Sequence, residues 1–235
     1  LNLVLHKVGP AIVAGTSIVI KPSEKTPLSA IKLREILINS GLPENHYNII
    51  LGSRPKETTD AILSYQKYDL VSFTGGVKVG KYIARKMASS GNELKKYIPE
   101  LGGNSILVIM GDCDIGVAIQ LAMGAFENSG QRCTAVRRIL LHKDISNQFI
   151  EKFVNVAKNI KFGDPLDNNN DMGTVISSEQ ADLIYKRVSS AIKDGANLLI
   201  GNQNDGAIYP PTILSNVNPK SEVVQKETFG PIVSI

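Results

Sequence analysis

The sequence predicts an α/β fold in which a parallel, doubly wound sheet is followed by a second α/β part. Two observations predict it. Short β-branched or apolar runs alternate with helical patterns along the N-terminal part, a spacing that suits the helical crossovers parallel strands require. The 235 residues are 43% hydrophobic and 20% charged, so the chain can bury a large core and is not a disordered protein.

The N-terminal part alternates strands with helices. An apolar stripe at helical spacing identifies each helix, and a continuous apolar run identifies each buried strand. Glycines mark helix ends and starts, as at Gly41 and at Gly75-Gly76. This alternation is typical of a nucleotide-binding layer. The predicted elements are, in order, a strand at 17–20, a helix at 30–37, strands at 47–51 and 69–74, and a helix at 79–87.

The second part begins near Gly102-Gly103 and also mixes strands with helices. Ser177, followed three residues later by Gln180, predicts a capping box at a helix start. The predicted elements are strands at 105–110 and 135–142, helices at 115–126, 149–157 and 181–191, a polar loop at 163–171, and a strand within 229–235.

Composition excludes several classes of function. The net charge is only +4, and the doublets Lys95-Lys96 and Arg137-Arg138 predict solvated surface rather than a nucleic-acid site. Two cysteines make neither a disulfide framework nor a zinc cluster, so we expect no metal and a reducing, cytoplasmic location. The longest apolar stretch, 11–20, is too short to span a bilayer, so we expect no membrane partner.

The two cysteines have different neighbours. Cys113 lies between Asp112 and Asp114, whose negative charges disfavour a thiolate, and we expect it to be inert. Cys133 follows Arg132, and a cation beside a thiol favours the nucleophilic thiolate. Local context alone leaves both a nucleophile and a structural cysteine open at position 133.

Three further stretches carry residues suited to catalysis or nucleotide binding. Glu100 precedes two glycines and a buried strand, where a carboxylate can act as a general base or remain a surface glutamate. Gly75-Gly76 join a strand to a helix, and free amides at such a turn can hold a phosphate. Lys21 and Glu24 follow the first strand, where they can bind ribose hydroxyls or form a solvated turn.

Together these motifs resemble the NAD(P)-dependent aldehyde dehydrogenase superfamily over essentially the whole chain. The Glu-Leu-Gly-Gly and Gly-Gln-x-Cys motifs are the specific ones. The resemblance implies an aldehyde dehydrogenase-like fold, with a partial Rossmann-type cofactor domain before an α/β catalytic domain. The matching stretches are Lys21-Pro22-Ser23-Glu24, Phe73-Thr74-Gly75-Gly76, Glu100-Leu101-Gly102-Gly103, Gly130-Gln131-Arg132-Cys133 and Glu227-Thr228-Phe229-Gly230-Pro231.

The resemblance implies that a small-molecule aldehyde is oxidised to a carboxylic acid with NAD. Cys133 would attack the aldehyde carbonyl to form a thiohemiacetal, and hydride transfer to the nicotinamide would leave a thioester. Glu100 would be the general base that activates water to hydrolyse this thioester. Family members that pass the acyl group to coenzyme A generally lack this glutamate, so Glu100 favours hydrolysis.

The resemblance also implies cofactor-binding positions. Lys21 and Glu24 match positions that hold the adenosine ribose, and Glu227 matches the one that holds the nicotinamide ribose. Gly75-Gly76 match the pyrophosphate turn, where many relatives have serine at position 76. Because Glu24 would repel the extra phosphate of NADP, we favour NAD, with NADP as the alternative. The full set is Lys21, Glu24, Gly75, Gly76, Leu101, Glu227 and Phe229.

Arg132 bears on the substrate. The stretch 130–136 resembles members that act on phosphorylated or phosphonate aldehydes, such as non-phosphorylating glyceraldehyde-3-phosphate and phosphonoacetaldehyde dehydrogenases. An arginine beside the nucleophile could clamp an anionic group. Tuning of the thiol or a structural ion pair is equally open for Arg132, and small neutral aldehydes such as lactaldehyde stay candidates.

By the resemblance, residues 1–102 are the C-terminal part of an NAD-binding domain, and residues 103–235 belong to a catalytic domain truncated at its C-terminal end. Family members are longer, assemble as homodimers or homotetramers, and carry an oxyanion-hole asparagine that would precede Leu1. A catalytically silent fragment or nucleotide-binding remnant is therefore the alternative to an active enzyme.

Overall fold

The computed structural model describes residues 2–65, 67–89 and 95–235. The chain forms two compact units, Leu1–Leu101 and Gly102–Ile235. Both combine helices with mainly parallel strands, so the predicted α/β fold is confirmed. The assignment of cofactor binding to residues 1–102 and of catalysis to residues 103–235 stays a prediction. Within the described ranges, no helix has the length and apolar character needed to cross a membrane.

The first unit alternates helices and strands in the order α1 (Asn2–Val13), β1 (Ile18–Ile20), α2 (Leu28–Asn39), β2 (Tyr47–Ile49), α3 (Pro55–Ser64), β3 (Leu70–Gly75), α4 (Val77–Ser89) and β4 (Lys96–Leu101). The strands form two parallel pairs, β1 with β2 and β3 with β4. Each pair has its own small core. One contains Val8, Leu33 and Tyr47, and the other contains Leu63, Ile83 and Met87.

Three elements of this unit lie where none was predicted, namely α1, α3 and β4. α1 contains Gly9 and Pro10, which disfavour a helix, but it buries Val8 completely in the first core. β4 contains Pro99, which a central strand excludes. The strand is an edge of a two-stranded sheet, where the missing amide hydrogen is tolerated. Tertiary packing therefore overrides local propensity at both places.

The second unit contains β5 (Ser105–Ile109), α5 (Ile115–Ala122), β6 (Val136–Leu141), α6 (Ser146–Ala157), α7 (Ser178–Lys193), β7 (Asn197–Ile200), β8 (Thr212–Ser215), α8 (Glu222–Gln225) and β9 (Ile232–Ser234). Its strands form one sheet in the order β5-β6-β9-β8-β7. Neighbouring strands are parallel except β7, which runs antiparallel to β8.

Helices cover both faces of this sheet. Ile213 and Val233 pack with the buried residues of α5 and α6, whereas Leu214 and Ile232 pack with those of α7. Successive residues of β8 and β9 therefore enter opposite cores, as expected for parallel strands buried on both faces. This arrangement holds β6 and β9 in place, and the segments that lead into these two strands are described below.

Two helix ends refine the sequence predictions. Ser177 caps α7 by accepting a hydrogen bond from the Gln180 amide, so half of the predicted capping box is present. The Gln180 side chain instead donates to the Phe229 carbonyl oxygen at 2.9 Å. The helix predicted at 115–126 ends at Ala122 and continues as 3₁₀ turns. Those turns lead towards Cys133.

The prediction of a solvated Arg137-Arg138 doublet is wrong. Arg137 is only 3% exposed, and Arg138 is half-buried with its guanidinium donating to the Asn104 carbonyl oxygen. The physical reason is strand alternation, because β6 lies between β5 and β9 and points Arg137 and Ile139 to the same buried side. A basic doublet on an interior strand cannot have both side chains in solvent.

Candidate active site

In the first unit, two of the predicted motifs end side by side. β3 and β4 run parallel in a register that pairs Thr74 with Glu100 and Gly75 with Leu101. Their carboxyl ends therefore lie at one edge of the strand pair, the place where ligands bind in open parallel sheets. Glu100 is exposed at this edge. The two stretches are distant in sequence, and pairing of the strands brings them together.

The turn between β3 and α4 has room for a ligand. A Cβ atom added at Gly76 would meet nothing within 4 Å, and α4 begins at the next residue, Val77. A dinucleotide pyrophosphate could approach such a turn and accept hydrogen bonds from amides at the helix start. Gly75 is different, because a Cβ there would press on the Phe73 ring. The residues present therefore fit a phosphate group at Gly76.

Lys21 and Glu24 lie on the other strand pair of this unit, just after β1. Lys21 is half-buried and donates from Nζ to the Pro22 carbonyl oxygen at 3.2 Å, whereas Glu24 is exposed. Both follow the carboxyl end of a parallel strand, as the sequence analysis expected. Their carboxylate and ammonium groups are available at the surface of this edge.

A residue that sequence analysis missed lies near Glu100. Lys7 of α1 donates from Nζ to the Ser72 hydroxyl on β3 at 3.0 Å. Burial lowers the pKa of Lys7, and the negative charge of Glu100 partly raises it again. No spacing rule links Lys7 to Glu100, because α1 and β4 are the first and last elements of the unit in sequence. The structure adds a cation to the neighbourhood of the predicted base.

In the second unit, Cys133 is exposed at the end of an unusual turn. Asn128, Ser129 and Gly130 have positive φ angles of 52°, 55° and 64°, a conformation that L-residues adopt rarely. We call residues 128–133 the cysteine turn. A Cβ at Gly130 would overlap the Gly230 carbonyl oxygen, so only glycine fits there. Backbone strain of this kind persists only where surrounding contacts impose it.

Those contacts include two side chains of the turn itself. Ser129 donates to the Gly173 carbonyl oxygen at 2.9 Å. Gln131 donates from Nε2 to the Thr174 carbonyl oxygen at 3.2 Å, and its Oε1 accepts from the Ile176 amide at 2.7 Å. The glutamine of the Gly-Gln-x-Cys motif thus bridges the main chain of a neighbouring loop. This role was not predicted, because the contacted atoms are backbone atoms without a sequence signature.

Arg132 has a partner in the structure. Its guanidinium forms an ion pair with Glu127, and both side chains are largely exposed. The structural ion pair considered for Arg132 is therefore present in this conformation. An anionic substrate would have to compete with the Glu127 carboxylate for the same guanidinium. Surface pairs of this kind are weak, so such an exchange costs little.

Two glycines bring the cysteine turn and Glu227 together. The Gly103 amide donates to Glu227 Oε1 at 3.2 Å, and a Cβ at Gly103 would lie 2.8 Å from the Cys133 carbonyl oxygen. A Cβ at Gly102 would overlap the Glu227 carboxylate. The glycine pair is therefore needed to admit both groups. Glu227, predicted to hold the nicotinamide ribose, lies next to the main chain of Cys133.

The segment after Glu227 is held from α7. Arg187 donates from Nη1 to the Glu227 carbonyl oxygen at 2.8 Å and to the Thr228 hydroxyl at 3.1 Å. The predicted cofactor-binding residue Phe229 is partly exposed and is fixed by the Gln180 contact to its carbonyl oxygen. The end of the Glu-Leu-Gly-Gly motif, the cysteine turn and the Glu227 segment thus meet within one unit. An exposed thiol on a rigidly held turn suits covalent catalysis.

The chain belongs to the aldehyde dehydrogenase family, which it matches over residues 1–235. It is 39% identical over 234 residues to aspartate-semialdehyde dehydrogenase 1 of Pseudomonas canavaninivorans, an alignment that covers 99% of this chain and 48% of that protein. The chain thus spans about half the length of the curated relatives it matches.

Solved structures agree with this assignment. Glyceraldehyde-3-phosphate dehydrogenase GapN of Methanocaldococcus jannaschii, complexed with NADP, superposes with a TM-score of 0.93 at 39% identity, covering all of this chain and 51% of that one. Betaine aldehyde dehydrogenase of Staphylococcus aureus, complexed with NAD+, superposes with a TM-score of 0.89 at 34% identity, covering 97% and 46%. The predicted aldehyde dehydrogenase-like fold is confirmed.

Proposed function

We propose that the protein oxidises an aldehyde to a carboxylic acid with NAD, using Cys133 as nucleophile and Glu100 as general base. One observation carries the proposal. Gly103 contacts the Cys133 carbonyl and also binds the Glu227 carboxylate, so the candidate nucleophile and a candidate cofactor contact share one glycine. Family membership supports the same chemistry.

The first step takes place on Cys133. Its thiolate attacks the aldehyde carbon, the carbonyl π-bond electrons move to oxygen, and a thiohemiacetal forms. When bound, NAD supplies the oxidation by accepting the hydride from this carbon. The carbonyl re-forms as that hydride departs, which leaves an acyl group on Cys133 as a thioester. The hydrogen bonds that hold the cysteine turn keep the sulfur in place during both steps.

The second step releases the product. Glu100 takes a proton from water, the hydroxide attacks the thioester carbon, and the carbon–sulfur bond breaks to give the carboxylic acid and the Cys133 thiolate.

Residues for the cofactor come from several motifs. Gly76 leaves space for the pyrophosphate at the start of α4, and Lys21 and Glu24 would hold the adenosine ribose. Glu227 would accept hydrogen bonds from the nicotinamide ribose beside Gly103. Glu24 favours NAD over NADP by repelling a ribose phosphate. Leu101 and Phe229 are the other proposed cofactor-binding residues.

The proposed substrate carries a negative charge that Arg132 binds after releasing Glu127. Two of the relatives described above are named for aldehydes that carry an acidic group, a carboxylate in aspartate semialdehyde and a phosphate in glyceraldehyde 3-phosphate. Betaine aldehyde, in the name of the third, is cationic, so a neutral or cationic substrate is the competing outcome.

The cytoplasm is the proposed location, and homodimers or homotetramers are the proposed assembly. Both cysteines are free thiols, as expected in a reducing compartment.

An aldehyde panel assayed by NADH absorbance tests the reaction. Wild type should form NADH, Cys133→Ala should not, and Cys113→Ala should keep wild-type rates. Glu100→Gln should release a burst of about one NADH per site and then stall, because oxidation precedes the hydrolysis it blocks. Absence of NADH from wild type with every aldehyde would overturn the proposal in favour of a silent fragment.

Arg132→Ala tests the substrate class. We expect kcat/KM for phosphorylated aldehydes to fall by about tenfold or more, with little change for neutral aldehydes. Arg54→Ala is the matched control, because Arg54 is also an exposed arginine paired with a glutamate, Glu57. An equal loss for both substrate classes would contradict the anion-binding role of Arg132.

A further inference from the structure

Arg137 makes several contacts with the main chain of the cysteine turn. Its guanidinium donates to three main-chain carbonyl oxygens, those of Gly230 at 2.8 Å, Arg132 at 3.0 Å and Gly130. Two of these oxygens belong to the turn that ends at Cys133, and the third belongs to the segment after Phe229. The same guanidinium lies over the Phe229 ring, 5.7 Å from its centroid. One side chain thus joins the two segments.

The charge of Arg137 is buried, and the hydrogen-bond partners of its guanidinium are main-chain carbonyl oxygens. In the described part of the chain, no acidic side chain forms a hydrogen bond or ion pair with Arg137, and its buried Nε has no hydrogen-bond partner. Burial lowers the pKa of Arg137, while the negative charge of Glu227, and that of Cys133 when it is ionised, raise it. A buried cation held by neutral carbonyl oxygens is costly, so its presence needs a reason beyond packing.

We propose that Arg137 is the positioning residue for the Cys133 sulfur: it ties the cysteine turn to the Gly230 segment and holds a fixed positive charge near the thiolate. The proposal deepens the function proposed above, since it names the group that acts through Cys133. Three carbonyl dipoles around the guanidinium keep the side chain in one orientation. The cation therefore faces the turn through these carbonyl oxygens.

Geometry explains why lysine cannot replace Arg137 fully. A guanidinium is planar and offers five N–H donors in a fixed fork, whereas an ammonium is a compact charge on a flexible stem. Lysine would keep the positive charge but lose the simultaneous contacts to Gly130, Arg132 and Gly230. The two parts of the proposal, orientation and charge, can therefore be separated by experiment.

The test uses thiol alkylation in a Cys113→Ser background, where Cys133 is the only cysteine. Neutral iodoacetamide and anionic iodoacetate are compared by mass spectrometry across pH, with Arg137→Met, Arg137→Lys and Arg138→Met. Arg138→Met is the matched control, because Arg138 is the adjacent arginine and donates to Asn104 rather than to the turn. Alkylation needs neither aldehyde nor NAD, so its outcome is independent of the proposed reaction.

Arg137→Met should slow iodoacetamide at neutral pH by about tenfold and lower the iodoacetate-to-iodoacetamide rate ratio, because the cation is gone. Arg137→Lys should keep the ratio near wild type but reduce kcat in aldehyde oxidation. Arg138→Met should leave both alkylation rates unchanged. The proposal is overturned if Arg137→Met lowers Tm while Cys133 alkylation matches wild type. If Arg137→Met does not fold, wild-type kcat in Arg137→Lys overturns the orientation role.

Discussion

At the scale of single residues, the candidate site depends on positions where one atom more would not fit. Gly130 has a φ of 64° and lies against the Gly230 carbonyl, and Gly102 lies against the Glu227 carboxylate. These contacts explain the glycines of the motifs by sterics alone. Substitution of these glycines by alanine therefore tests the geometry directly.

Gly130→Ala should destabilise the protein more than substitution at another left-handed glycine. Gly206 has a similar φ of 56°, but a Cβ there would have its nearest neighbour, the Ser178 hydroxyl, at 3.9 Å. Gly206→Ala should therefore cost only the left-handed backbone, about 1–2 kcal/mol. Gly130→Ala adds a clash with a main-chain oxygen that cannot move aside. Urea unfolding measures both, and equal losses would show that the clash is relieved.

Glu24→Thr should shift cofactor preference. Removal of the carboxylate removes its repulsion of the ribose phosphate, so the NADP-to-NAD ratio of kcat/KM should rise by about tenfold. Glu44→Thr is the control, since Glu44 is another exposed glutamate of the same unit. Steady-state kinetics with both cofactors would check this, and an unchanged ratio in Glu24→Thr would refute the electrostatic argument.

The sequence motifs pointed to candidate catalytic and cofactor-binding residues, but not to the side chains that hold those residues in place. Cys133 and Glu227 stand in recognisable motifs, although their roles stay predictions. Arg137 was misassigned, yet the alternation with Ile139 on an interior strand contained the signal for its burial. Lys7 gave no signal, and Gln131 was part of a motif whose bridging role had none, because their partners are distant in sequence and, for Gln131, are backbone atoms.

At the scale of elements, an ion pair connects α8 to α7. Glu222 pairs with Lys226, the residue that follows α8, and with Arg187 Nε at 3.3 Å. Arg187 in turn holds the Glu227 carbonyl. The short helix is therefore part of the support for the Glu227 segment.

Glu222→Gln should lower Tm more at neutral pH than in acid. The hydrogen bond and charge of Lys226, followed by Arg187, hold the pKa of Glu222 below its ordinary value. Its stabilisation is therefore present above the unfolded pKa of about 4.3 and is lost as pH falls through the lower folded value. We expect a decrease of about 1–2 °C at pH 7 that shrinks as the solution is acidified below the unfolded pKa.

Calorimetry at several pH values measures this difference. Glu151→Gln is the control, since Glu151 is an exposed glutamate on α6. A difference between wild type and Glu222→Gln that persists undiminished in acid would mean that the ion pairs are not its source.

Elements were predicted well where periodicity was strong and poorly where packing decides. α7 was located by its apolar stripe and its Ser177 cap, both of which the structure contains. α1 and β4 were missed because Pro10 and Pro99 are local signals against the structures that tertiary contacts impose. Local rules cannot weigh burial supplied by residues far along the chain.

At the scale of the whole molecule, the two units differ in how their strands are covered. β6 and β9 lie inside a five-stranded sheet, whereas β1 and β2 form a two-stranded pair. The core under that pair has three buried residues, Val8, Leu33 and Tyr47. Local opening should therefore be easier in the first unit.

Hydrogen exchange measured by mass spectrometry should show this difference. Amides of β1 and β2 should exchange at least about tenfold faster than those of β6 and β9, because fewer apolar contacts oppose their opening. Both strand pairs belong to one chain, so each sample contains its own reference. Equal protection of the two sets would contradict the expected ranking of local stability.

The supports of the cysteine turn have a consequence for how such a protein can diversify. Ser129, Gln131 and Arg137 all donate to carbonyl oxygens of the main chain, in the segments 173–174 and 230 and in the turn itself. Every amino acid has such an oxygen. Side chains such as those of Thr174 and Ile176 can therefore be exchanged without moving the sulfur. Residues around Cys133 can change in this way while the position of its sulfur stays the same.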